Sequence, residues 1–261
     1  MRTLALLYHD VVTEGRYGDS GFQSPDANIY KLDRTEFARH LEAIARASRR
    51  PPVTAGRLES EASPELLLTF DDGGASALEP VAGMLAGRGW KAHFFVTSDY
   101  VGTPGFLTPG EIRELHRQGH VIGSHSASHP LQMGRCPRKQ LDREWSRSTS
   151  ALAEILGEPV RTASIPGGYY SHAVAESAAA AGIRTLFTSE PVTRPWTRDG
   201  CTMLGRFGVQ QGVPPEWVAA VVAGRVGPRL SRYCYWNAKK LVKAAGGEQW
   251  LKLRAWMLAR R

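Results

Sequence analysis

The sequence predicts an α/β protein with a parallel sheet or barrel, and three observations predict it. Short apolar runs such as Leu66–Phe70, Ala92–Val96 and Val121–Gly123 recur between turn residues. Segments of helical period separate them. Acidic and imidazole side chains stand where two of the runs stop, the usual place for an α/β active site.

The chain has 261 residues, enough for one large α/β domain or at most two small ones. No apolar run approaches the ~18–20 residues of a membrane span. Residues 1–8 carry a short Leu-Ala-Leu-Leu run that His9 and Asp10 interrupt, which reads as no leader peptide. Cys136, Cys201 and Cys234 are odd in number and widely spaced, as suits a reducing compartment, so cytoplasmic is the default. The net charge of +8 is uneven: residues 225–261 hold ten Lys/Arg against Glu248, leaving the rest at −1. The expected division is a catalytic domain over 1–224 and a basic, aromatic-rich helical tail over 225–261.

Taken in order, Thr3–Tyr8 reads as a first strand ending at His9-Asp10, and 13–31 as a long loop over the rim of the site. Asp33 with Glu36 resembles a capping box, with Phe37, Leu41 and Ile44 following at helical spacing until Pro51-Pro52. After the Leu66–Phe70 strand, 75–88 should be helical and 91–96 a strand. Thr108-Pro109-Gly110-Glu111 opens a helix with a cap, a first-turn proline and an N3 glutamate. A strand over 120–124 follows, then from Pro137 a long helix with Leu141, Trp145, Leu152 and Leu156 inward, closed by Gly157. Thr162–Ile165 is a strand, 171–181 an alanine-rich helix, and 184–188 and 202–206 further strands.

The organising stretch is Leu66-Leu67-Leu68-Thr69-Phe70-Asp71-Asp72-Gly73. Two adjacent carboxylates repel, so a cation or a shared proton belongs beside them, although an Asp-Asp-Gly turn also follows ordinary strands. His125 and His129 follow the later Val121-Ile122 strand, four residues apart, a spacing that brings two imidazoles to one side. Two imidazoles and one carboxylate suit a catalytic divalent metal with open positions.

TFDDG at 69–73 and HSASH at 125–129 resemble the first two motifs of the polysaccharide deacetylase family, the NodB-homology domain of carbohydrate esterase family 4. Ala92-His93-Phe94-Phe95-Val96 resembles a further strand of that family, and Leu107–Glu111 the lead into its next helix. The similarity runs over roughly residues 4–210. It implies a distorted (β/α)7 barrel and hydrolysis of an acetyl group on a sugar with one divalent ion, zinc first, with cobalt, nickel or manganese also suited. By motif match Asp72, His125 and His129 hold the metal and Asp71 is the base; Ser126 is either a hydrogen-bonding brace for the histidine loop or incidental.

Two departures from the family pattern matter. The third motif, Arg-x-Pro-Tyr-Gly or a variant, appears as Ser164-Ile165-Pro166-Gly167-Gly168, so Gly167 keeps the oxyanion-binding N–H without the tyrosine. Ser164 replaces an arginine that pairs with the catalytic aspartate in many members. Arg206 could supply that guanidinium from another strand, against the alternative of an ordinary surface arginine. The last motif, Leu-x-His, is absent from the C-terminal part, where no histidine follows His172. Leu7-Tyr8-His9 has its pattern at the front, as in circularly permuted exopolysaccharide-deacetylase relatives, and makes His9 the general acid. His93 reads as packed, and His40, His116 and His120 fall on helix faces or loops; His172 stands near the oxyanion turn.

The tail interleaves Tyr233, Tyr235, Trp236, Trp250 and Trp256 with Arg229, Arg232, Lys239, Lys240, Lys243 and Lys252. That mixture suits an anionic membrane surface or a lipid-phosphate carrier, or helices packed on the barrel with a solvated basic face. No recognised nucleic-acid module accompanies the charge. The expected function is metal-dependent N-deacetylation of an acetylated amino sugar, cytoplasmic and peripheral at a membrane if the tail binds one. An O-acetyl esterase and a catalytically silent carbohydrate-binding relative are the alternatives.

Overall fold

In a computed structural model, residues 2–13, 15–55 and 65–238 are described. The first strand, β1 (Thr3–Tyr8), is buried along its whole length, as a continuous apolar run in a parallel sheet must be. After it come β2 (Val11–Val12), the short helix α1 (Pro25–Asn28) and β3 (Leu32–Asp33), which pairs with β2. Helix α2 (Arg34–Ala47) is capped by Asp33, whose side chain accepts from Thr35 N. Next are β4 (Glu65–Phe70), α3 (Gly83–Ala86), β5 (His93–Val96) and α4 (Pro109–Arg117), the last with the full Thr108/Glu111 capping box. Strand β6 (Val121–Ser124) leads to α5 (Arg138–Leu156), then β7 (Thr162–Ser164), α6 (His172–Ala180) and β8 (Thr185–Phe187). Strands β9 (Trp196–Arg198), β10 (Cys201–Leu204) and β11 (Arg206–Gly208) precede α7 (Pro215–Val222), and residues 226–238 are helical.

The expected helix over 75–88 is instead three short turns, Ala75–Ala77, Leu78–Ala82 and α3, with Glu79 at φ −127, ψ 119. Pro80 is the cause, because a proline disfavours helical geometry at the residue before it. The 13–31 loop holds α1, and the strand expected over 202–206 is two strands, β10 and β11, divided at Gly205.

The sheet order is β11-β1-β4-β5-β6-β7-β8-β10-β9, parallel throughout except for β9 against β10. Strands β10 and β11 are consecutive in the chain yet lie toward opposite ends of this order. Leu204 pairs with Phe187 of β8, and Arg206 pairs with Ala5 of β1. In a flat sheet β10 and β11 would stand seven strand spacings apart, about 34 Å, whereas the two residues of chain from Leu204 to Arg206 span at most ~7 Å. The sheet therefore curls round until one bent strand serves both ends. The ring is β1, β4, β5, β6, β7, β8 and the β10–β11 stretch, the distorted seven-stranded barrel that the family resemblance implies. Gly205 makes the bend: a Cβ there would overlap the Glu190 carbonyl oxygen, which accepts from Arg206 N at 2.9 Å.

Strand alternation then sorts the side chains. Leu4, Leu6, Leu66, Leu68, Phe70 and Phe94 face outward into the core beneath α2, α4 and α7, and Ala163, Leu186 and Met203 into the core with α5 and α6. Ala5, Leu67, Phe95, Phe187 and Leu204 form a separate inner cluster. The inner series continues past the strand ends as His9, Asp71 and His125, with Ser164 at the end of β7 and Arg206 on β11. That places the predicted chemistry over one mouth of the barrel.

Candidate metal centre and catalytic site

The backbone turns sharply after β4, where Asp72 adopts φ 76. This turn separates two neighbouring carboxylates that would otherwise repel at close range. Asp72 goes to the histidines: its Oδ1 lies 3.4 Å from His125 Nε2 and 3.6 Å from His129 Nε2. One ligand atom from each of these three residues lies within 4.8 Å of the others. The set of one carboxylate and two imidazoles fits a divalent ion of the zinc type with positions left for water or substrate. His125 Nδ1 stands 3.1 Å from the Ser164 carbonyl oxygen, and donating there leaves Nε2 free to ligate.

Asp71 goes the other way, into the inner series. Arg206 Nη1 and Nη2 donate to its two oxygens at 2.6 and 2.9 Å, and Ser164 Oγ donates at 3.0 Å. Arg206 is fully buried, gives Nε–H to the Thr188 carbonyl at 3.0 Å, and its guanidinium lies 5.7 Å from the Phe95 ring centre. It is thus no surface arginine, and Ser164 still touches the aspartate from the position where the family carries a guanidinium. Burial works against ionising Asp71, but Arg206 and His125 hold its carboxyl below the usual carboxylate range. Burial likewise opposes the charged form of Asp72, outweighed by the His125 hydrogen bond and by His9 and His129, so it too is lowered. Burial pushes His129 down to about 4. It also works against the charged form of His125, but Asp71 and Asp72 outweigh it and raise that imidazole above its ordinary value.

The histidine loop is braced from several sides. Ser126 Oγ accepts from His129 N at 3.1 Å, the bracing role considered for it. Ser126 and His129 sit at φ 64 and φ 56, conformations that cost non-glycine residues about 1–2 kcal/mol each. Glu144 of α5 accepts from Ala127 N, Ser128 N and Ser128 Oγ.

His9 ends β1, between β11 and β4. It is half-buried, its ring centre lies 4.5 Å from that of Tyr30 in the rim loop with the planes tilted by 38°, and it is close enough to Asp71, Asp72 and His129 to act on their charges. Its Nδ1 is buried with no hydrogen-bond partner among the described residues. Gly167 occupies the turn Pro166–Gly168 at φ 60, and the Tyr169 ring fills the place of a side chain there, 3.0 Å from where a Cβ would stand.

Residues 59–186 match the family model described as polysaccharide deacetylase. Over that stretch the chain is similar to the polysaccharide deacetylase family. A chitooligosaccharide deacetylase of Sinorhizobium fredii is 32% identical over 141 residues, 53% of this chain and 62% of that protein. The putative polysaccharide deacetylase YxkH of Bacillus subtilis is 24% identical over 170 residues, 63% of this chain and 61% of that protein. The chain thus spans about three fifths of the length of these curated relatives. The solved structure of IcaB from Ammonifex degensii superposes with a TM-score of 0.69 at 25% identity, over 85% of this chain and 97% of that one. Streptococcus pyogenes deacetylase PplD, solved with acetate, shares the fold at a TM-score of 0.68 and 17% identity, over 83% and 96% of the two chains.

The remaining histidines make contacts elsewhere in the fold. His93 is buried, accepting from Ala55 N at 2.9 Å, and stacks on Phe95. His40 contacts the Val213 carbonyl and His120 accepts from Ala92 N; both are buried rather than surface groups. His116 faces Glu158, and His172 accepts from Arg198 Nε. Reading the sequence did not single out Asp10, which Ser20 and Ser76 hydroxyls hold beneath the rim, nor buried Lys31, whose ammonium donates to the Tyr17 carbonyl. Asp10 had a signal, its place directly after His9. Glu144 had one too, a charge on the core-facing stripe of Leu141, Trp145 and Leu152.

Of the basic tail, Arg232 packs on the barrel, its guanidinium 4.8 Å from the Trp217 ring centre and donating to the Gly208 carbonyl at 2.7 Å. Val226, Leu230, Tyr233 and Tyr235 on the same helix are exposed. Lys239, Lys240, Lys243, Trp250, Lys252 and Trp256 lie outside the described residues.

Proposed function

We propose that the chain hydrolyses the N-acetyl group of an acetylated amino sugar, releasing acetate. The convergence of Asp72, His125 and His129 beside an aspartate gripped by arginine carries this reading. A divalent ion on those three residues would polarise the acetyl carbonyl and lower the pKa of a water molecule. Asp71, kept ionised by Arg206, takes the proton from that water. The Gly167 N–H supports the charge gathering on the carbonyl oxygen. His9 delivers a proton to the sugar nitrogen as the C–N bond breaks, because an amide nitrogen leaves only as the amine.

The relatives support the substrate class: one is named a chitooligosaccharide deacetylase and another, PgdA of Listeria monocytogenes, a peptidoglycan-N-acetylglucosamine deacetylase. Acetate release from N-acetylglucosamine oligomers by zinc-loaded protein, lost in Asp71→Asn, tests the proposal. Release from O-acetylated sugars alone would favour the esterase. Zinc binding with no release from either would favour the silent relative.

We further propose that the tail brings the enzyme to an anionic lipid surface or lipid-phosphate carrier on the cytoplasmic side. Four exposed large hydrophobic residues on the 226–238 helix and the +9 charge of 225–261 support this. Co-sedimentation with phosphatidylglycerol vesicles, abolished by deleting 229–261, is the expected result; sedimentation indifferent to the deletion removes the proposal.

A further inference from the structure

The buried stripe of α5 contains three polar residues among Leu141, Trp145 and Leu152: Thr149, whose hydroxyl donates back to the Trp145 carbonyl, and Glu144 and Ser148, one turn apart, which reach the histidine loop. A carboxylate in such a stripe costs several kcal/mol unless its oxygens are satisfied. Glu144 is 6% exposed and has no ion pair among the described residues. Its oxygens take three neutral donors instead: Ala127 N at 3.0 Å, Ser128 N at 2.8 Å and Ser128 Oγ at 2.7 Å. All three lie between His125 and His129. Ser148 reaches the same loop from below, its hydroxyl accepting from Ser124 Oγ at 2.7 Å, while Ser124 Oγ accepts from Ser126 N at 3.1 Å.

We infer that Glu144 and Ser148 are positioning residues for the metal centre, a two-point clamp through which α5 sets the spacing and direction of both histidine ligands without touching the ion. The left-handed backbone at Ser126 and His129 needs outside restraint to persist, and the clamp supplies it at the residues between the ligands. Its chemistry also suits a cation site. A neutral acceptor could anchor a loop, whereas Glu144 adds a negative charge beside a centre that would hold a dication. The two arms divide the work. Glu144 fixes the middle of the loop, and Ser148 fixes its entry from β6.

The inference rests on Asp72, His125 and His129 being metal ligands, and one experiment separates the two ideas. Metal-free wild type, Glu144→Gln, Glu144→Ala, Ser148→Ala and Ser128→Ala are titrated with zinc against a chromophoric chelator, and with cobalt for its visible ligand-field bands. Thermal melts of the metal-free forms run alongside. Glutamine keeps the size of Glu144 and an acceptor for both backbone N–H groups, with its NH2 turned to the Ser128 hydroxyl, so it removes the charge alone. Zinc affinity should fall about 10–100-fold in Glu144→Ala, the usual cost of losing such a partner, and less in Glu144→Gln, which loses only the charge. It should fall less in Ser148→Ala and Ser128→Ala. The cobalt bands should shift in all four, with metal-free melting close to wild type in Glu144→Gln. Wild type that takes up no zinc overturns the ligand assignment and this inference with it. Wild type that binds zinc, beside folded variants of unchanged affinity and cobalt spectrum, overturns the positioning role alone. Should the Glu144 variants fail to fold, Ser128→Ala decides, since it removes one donor of the clamp without altering α5.

Discussion

Arg206 holds Asp71 by two hydrogen bonds, 2.6 and 2.9 Å long, across 135 residues of sequence, with both side chains in the barrel interior. A buried guanidinium and a buried carboxylate are each costly alone and tolerable only together. Arg206→Met should therefore destabilise the fold by about 3–5 kcal/mol. The double variant Arg206→Met/Asp71→Asn should recover much of that loss, because no lone charge is left inside. Urea denaturation of the two single variants and the double variant measures the coupling, and strictly additive losses would contradict it.

The same pair sets a pH dependence. Arg206 lowers the Asp71 pKa, so removing the guanidinium raises it, and Asp71 is then ionised only above a higher pH. The acid limb of the kcat/KM profile should move to higher pH in Arg206→Lys, whose single ammonium replaces a two-pronged contact. An unmoved limb would mean that Asp71 is not the group being titrated.

Chelation should abolish acetate release, and zinc or cobalt should restore it. His125→Ala and His129→Ala should lose more affinity than the ~10–100-fold typical of outer-shell changes. Metal content after gel filtration and acetate release on re-addition read both outcomes.

His9→Ala should lower kcat on N-acetyl substrates by about 10²–10⁴-fold. It should hardly affect an aryl acetate, whose leaving group needs no proton. Equal losses on both substrates would point to a structural role for His9.

Gly205→Ala tests the bend that joins the ends of the sheet. The added methyl would meet the Glu190 carbonyl oxygen and Val192, so a loss of about 1–3 kcal/mol or more is expected in a thermal melt. Because Arg206 follows directly, activity should fall further than stability alone explains.

His93 gives an acid-stability prediction independent of the metal. Burial holds its folded pKa down to about 4, below the unfolded value near ~6.5. Between those values the unfolded chain binds the extra proton, so this stabilisation is full above ~6.5 and is lost as pH falls toward 4. His93→Gln should lessen the slope of the stability curve over that window, leaving the part due to His120 and His129, which burial also lowers to about 4. A variant curve with the wild-type slope would show that His93 is not held neutral.

Residue order alone made much of this protein legible. The apolar run into Asp71-Asp72, the His125/His129 spacing and the Thr108 capping box are local features, and local backbone physics carries them into the structure with little change. The broken 75–88 turns show where that reading failed, because Pro80 outweighs the helical period of the stretch. What only the tertiary structure decided depends on ring closure. Arg206 reaches Asp71 because one strand, bent at Gly205, lies against both β8 and β1, and His9 meets the site because β1 stands between β11 and β4. Glu144 and Ser148 matter because α5 packs under a loop many residues before it. These relations join positions far apart in the chain, and no periodicity encodes them. They come from the curvature of the sheet, which turns two distant strand ends into neighbours.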